Sequence, residues 1–118
     1  MKGIEIMRKI EEQATRAFIN RDTWSKNNTA TGIELGGFWG LRLHNNLIAR
    51  MSDDGTVEVS NCGWESRTTQ SRLNALCVAL GMKSKVFTRD WEMFIEDLNG
   101  NDQLMGRDWW KIKRGRKS

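Results

Sequence analysis

Proline and tyrosine are absent from this chain of 118 residues, histidine occurs once and cysteine twice. Without proline the tight turns fall to Asn, Asp and Gly, and Asn45-Asn46, Asp54-Gly55 and Asn99-Gly100 answer to that need. Cys62 and Cys77 form no CxxC pair and His44 stands alone, which argues against a zinc site or a disulfide framework. Two reduced, partly buried thiols are the expected state. Asp53-Asp54-Gly55 could open a calcium loop, but the twelfth position of that loop is Trp64 where a bidentate Glu is needed. No apolar run approaches the length of a membrane span, and the first residues are charged early with no apolar signal core. No metal, cofactor or membrane is expected.

Tryptophan and terminal positive charge are what the chain has in excess. Six Trp (24, 39, 64, 91, 109 and 110) are many for one modest core, so one or two left exposed would mark an interaction surface. The net charge is +4, yet from Leu104 onward six Lys/Arg face the single acid Asp108, which leaves residues 1–103 slightly acidic. The organisation read from this is an α+β domain over 1–103, with an N-terminal helix, followed by a basic, Trp-rich strand or tail over 104–118.

Apolar spacing predicts a helix over 4–20, supported by the Glu5/Lys9 and Glu12/Arg16 pairs, whose narrow stripe packs on the sheet or forms a homodimer interface. Residues 21–37 are rich in Asn, Thr and Gly and read as a long loop. Alternation over 38–44, a turn at Asn45-Asn46, a strand over 47–52, a turn at Asp54-Gly55 and a strand over 56–60 predict a three-stranded meander. Two-residue turns would pair Leu43 with Ile48, Leu41 with Arg50, Arg50 with Val59 and Ser52 with Val57. Arg50 is then the one charge on an apolar face. Thr68 or Thr69 caps a helix over 69–80 that ends at Gly81, with Leu73, Leu76, Cys77 and Leu80 on one side. Strands follow over 85–88 and 91–96, and Asn99-Gly100 returns the chain into a last strand over 109–113. The fold class is α+β: a mainly antiparallel sheet (meander 38–60 plus strands near 84–96) with both helices on one face.

The run Leu41-Arg42-Leu43-His44-Asn45-Asn46-Leu47-Ile48-Ala49 and the segment Gly63-Trp64, Thr68-Thr69-Gln70-Ser71-Arg72-Leu73-Asn74 resemble a family of small bacteriophage proteins. Its pattern is a Leu-His-Gly-Asn-x-Ile-Ala hairpin and a Gly-Trp…Thr-Thr-x-x-Arg-Leu-Asn helix start. Asn45 replaces the family glycine, which its tolerance of the left-handed conformation allows. The resemblance covers roughly 38–95 and leaves the terminal segment outside. It implies phage origin and an α+β domain and carries no activity with it; with the reduced thiols and the charged start, the expected place is the bacterial host cytoplasm.

No nucleophile elbow, carboxylate pair or second histidine supports an enzyme, and His44 reads as a polar residue at a strand end. Arg72 and Asn74 could meet an anion at a helix start, or else pair with Glu65 or a sheet-edge carboxylate and brace the bend after Trp64. The terminal segment is the leading site. Trp109 and Trp110 are suited to stack on unpaired bases, and Lys111, Lys113, Arg114, Arg116 and Lys117 to neutralise phosphates. A non-enzymatic, nucleic-acid-binding phage accessory protein is expected. The alternative is a host-takeover or anti-defence inhibitor that blocks a bacterial host protein, for which Trp serves as an anchor.

Overall fold

The computed structural model describes residues 2–63, 66–81 and 85–112, with side chains from Lys9 onward. Helix α1 (Lys2–Asn20) turns Ile10, Ala14, Ala17 and Phe18 into the core. It ends in a Schellman motif, Arg21 N–H donating to Phe18 O (3.2 Å) and Asp22 N–H to Ala17 O (2.8 Å). Arg21 holds the left-handed position that glycine usually takes (φ 58°), and its guanidinium donates to Ser52 O at 2.8 Å.

Residues 21–37 are not a loop. They form the hairpin β1 (Trp24–Lys26) and β2 (Thr29–Ile33), which extends the meander β3 (Trp39–Leu43), β4 (Asn46–Met51) and β5 (Val57–Val59). The inward positions of β2 are Thr29 and Thr31, both buried, so a polar-looking strand hid its alternation. Thr31 Oγ1 is satisfied by donating to Asp22 O at 2.6 Å. The meander itself is present, but its register differs from the expected one. His44 and Asn45, both left-handed (φ 51° and 67°), make the turn, pairing Leu43 with Asn46 and, past a bulge at Leu41/Arg42, Leu41 with Ala49. The second turn holds three residues rather than two, which sets Met51 against Val57 and Arg50 against Glu58. A shift of one residue exchanges the faces of a strand. Ala49 and Met51 therefore enter the core and Arg50 leaves it.

Helix α2 (Arg67–Ala79) is capped by Ser66, whose Oγ accepts from Thr69 N at 3.1 Å, not by Thr68 or Thr69. It buries Leu73, Leu76 and Cys77. The chain then forms β6 (Val86–Arg89), β7 (Glu92–Glu96) and β8 (Asp102–Leu104), a separate three-stranded sheet, before β9 (Trp110–Ile112) joins the first. The larger sheet is antiparallel in the order β1-β2-β3-β4-β5-β9, and α1 and α2 pack together over its inner face. Its apolar residues share one buried cluster with those of α1, α2 and the smaller sheet. The terminal segment from Leu104 is part of this body as far as Ile112, because Met105 and Ile112 are buried and β9 pairs with β5.

Candidate nucleic-acid interface

Alternation along the larger sheet sends Gly40, Arg50, Glu58 and Lys111 outward in one cross-strand row, away from the helices. Along β9, Trp110 and Ile112 face inward and Lys111 outward; Trp109, the residue before the strand, lies on the outer side with it. The Arg50 guanidinium lies over the Trp109 ring at 4.1 Å from its centroid and 5.8 Å from that of Phe38. Arg50 Nε also donates to Glu58 Oε1 at 2.8 Å, so the cation is fixed from one side by a carboxylate and from another by indole. Phe38, Arg50, Ser52, Asp54, Glu58 and Lys111 surround a depression of about 340 Å³.

Next along the same face, Arg42 makes a two-pronged pair with Glu34, Nε to Oε2 at 2.9 Å and Nη2 to Oε1 at 2.6 Å. The hydrogen bonds that Arg42 donates to Glu34 raise its pKa above the usual value. Gly40 makes room for this pair, since a Cβ there would stand 2.6 Å from Glu34 Cγ and from Leu47 Cδ1. Arg42 and Arg50 are thus internally balanced. Lys111 is in no ion pair among the described residues and supplies the unbalanced cation of this row.

The expected site residues separate as follows. Trp110 is half-buried against the core and its Nε1–H donates to Met105 O at 3.0 Å. Trp109 is half-exposed on the outer face under Arg50, and Lys111 is exposed opposite Glu58. Lys113, Arg114, Arg116 and Lys117 lie outside the described residues. Phe38, Arg50 and Glu58 are additions that the sequence reading missed. Their signal was the anomaly of a charge on an apolar face, which a shifted register removes.

The other candidates take structural positions. Arg72 is buried, donating to Glu11 Oε2 and Thr29 Oγ1, both at 3.2 Å, and Ser71 Oγ–H also donates to Glu11. Its partner is therefore a carboxylate from α1, not Glu65 or a sheet edge. Asn74 does not brace the bend after Trp64; it accepts from Lys85 N and Val86 N (3.0 and 2.8 Å) and donates to Val86 O (2.6 Å), closing the start of β6. His44 is exposed, its Nε2 3.4 Å from Asn28 Nδ2. Asp54 is a turn residue that accepts from Ser52 Oγ and Thr56 N, which lowers its pKa to about 2. Cys62 and Cys77 are free thiols; burial pushes Cys77 up to about 11. Among the described residues no group of three or more His, Cys, Asp or Glu is placed to hold a metal, and no helix is long and apolar enough to cross a membrane.

Fold and surface together define a small α+β domain with two antiparallel sheets and an aromatic, charged outer sheet face. Residues 7–115 match the family described as Kyanoviridae Gp96 protein, and the chain belongs to that bacteriophage family. The shared region is wider than the resemblance over 38–95 implied, and it includes Trp109, Trp110, Lys111, Lys113 and Arg114. The expectation that the terminal segment lies outside the family is corrected by this match. No curated protein and no solved structure gives a significant match.

Proposed function

We propose that this chain is a non-enzymatic phage accessory protein that holds single-stranded nucleic acid at the β5–β9 edge of its larger sheet. The observation that carries this reading is the Trp109–Arg50 stack on the outer face, directly before the cationic run. Trp109 supplies a surface for an unpaired base, about 1–3 kcal/mol per stacked base. Lys111, Lys113, Arg114, Arg116 and Lys117 neutralise phosphates, with little reading of sequence. Trp110 supports the platform from below by anchoring β9. Fluorescence anisotropy with a labelled single-stranded oligonucleotide tests the assignment. Trp109→Ala should weaken binding about tenfold or more, as should Arg114→Ala combined with Arg116→Ala. Binding that is absent at low salt, or indifferent to both changes, refutes the reading.

A second reading, the block of a bacterial host protein, is favoured by a different feature. The end of β2 and the turn into β3 leave Ile33 69% and Leu35 96% exposed, an apolar tip suited to a protein partner. A nuclease-resistant, stoichiometric complex from host lysate that Leu35→Ser abolishes would favour this reading over the first.

A further inference from the structure

The turn between β6 and β7 displays a large aromatic ring in an unfavourable backbone conformation. Asp90 and Trp91 both adopt positive φ (52° and 69°), where Asn and Gly are the usual choices, and Trp91 is 93% exposed. The ring stands at the mouth of a groove of about 1190 Å³ between α1, α2 and the β6–β7 hairpin. Ala75, Val78 and Phe87 contribute apolar wall, and Val78 is 58% exposed. Glu11, also in the lining, is held by Arg72 and Ser71.

The charge of the rim discriminates between classes of occupant. Glu12 on α1 and Asp90 and Glu92 beside the ring are exposed and take part in no ion pair among the described residues. Arg67 is the opposing cation in the lining, while Arg72 and Arg89 are paired with Glu11 and Asp102. An acidic, aromatic rim repels phosphate and attracts Lys or Arg, which can also lie on the indole face. The chain itself carries the complementary segment, four cations within residues 113–117.

We infer that the Trp91 groove receives the cationic C-terminal segment of a second copy of this chain. The contact is heterologous: each copy offers one groove and one tail, so the copies associate head to tail. It goes beyond nucleic-acid binding and draws on the same cations, so a single-stranded oligonucleotide should dissociate the copies. The two readings fail separately, since Trp91 is remote in sequence from Trp109 and plays no part in its stack with Arg50.

Sedimentation velocity of the full chain from roughly 10 µM to 1 mM, which spans weak to moderate affinities, provides the test. The expected result is concentration-dependent association that falls with salt. Trp91→Gly, which relieves the backbone and so keeps the fold, should weaken it at least about tenfold. Arg114→Glu with Arg116→Glu should do the same. A mixture of these two variants should recover a heterodimer, because one keeps its tail and the other its groove. A monomer throughout the range, association untouched by either variant, or a mixture that fails to recover would each overturn the inference. So would a concentration-independent change of the Trp91 indole N–H resonance in the tail variant, which would place the tail in its own groove.

Discussion

Trp91 occupies a left-handed backbone position (φ 69°) that glycine takes without steric cost, and it does so fully in solvent. Nothing in the core compensates, so Trp91→Gly is expected to raise stability by about 1 kcal/mol, measured by urea denaturation. A loss of stability would mean that the ring contributes packing after all. The thiols make the opposite kind of prediction. Cys77 is buried and its pKa is raised from 9.0 to about 11. The folded state therefore keeps its proton while the unfolded state loses it, and stability falls as pH rises from about 9 to 11. Cys77→Ala should flatten that alkaline limb in a pH series of denaturation midpoints, whatever it costs in packing. Single residues such as these were only partly legible in the sequence. Cys77 was readable as a helix-face thiol, but the exposure of Trp91 depends on a turn in which Trp takes the second left-handed position after Asp90, where Gly is the usual residue.

At the level of elements, the helices and the meander were legible because apolar periodicity directly reports a buried face. The β1–β2 hairpin was not, since Thr29 and Thr31 fill its inward positions and bury hydroxyls that look solvated in sequence. The register failed for a related reason. Asn45-Asn46 announces a turn that falls one residue earlier, at His44-Asn45, Asp54-Gly55 announces a turn but not its length, and the bulge at Leu41/Arg42 leaves no local trace. The last strand has the most direct consequence for experiment. β9 contributes Ile112 and Trp110 to the core, so truncation after Asp108 should unfold the protein or cost on the order of 3 kcal/mol or more. Truncation after Ile112 should leave thermal stability near that of the full chain. Equal stability of both truncated chains would show that β9 is dispensable.

For the whole molecule, charge and aromatic rings are distributed over two distinct surfaces. The outer face of the larger sheet holds Phe38, Arg50, Trp109 and Lys111, and leads into the cationic run. The groove is lined by Glu12, Arg67 and Trp91, and exposed Asp90 and Glu92 flank Trp91 in the chain. The separation follows from the topology: β9 returns to the far edge of the six-stranded sheet while β6 and β7 form a hairpin elsewhere. Sequence alone located the terminal segment but left open which of its two indoles is the exposed one. Strand alternation divides them, committing Trp110 to the core and Trp109 to the surface. The family match extends into that segment as far as residue 115, so Trp109 and Lys111 lie within the shared region.

The central claim is that this surface captures a single strand by neutralising phosphates with Lys111, Lys113, Arg114, Arg116 and Lys117. The most direct measurement is the dependence of the association constant on salt for a single-stranded oligonucleotide, with full chain and with Arg114→Ala/Arg116→Ala. About 0.7 counterion is released per phosphate on single strands, so five contacts predict a log–log slope of about −3.5 and the double variant about −2. A slope near zero, or one that the double substitution leaves unchanged, would contradict the account.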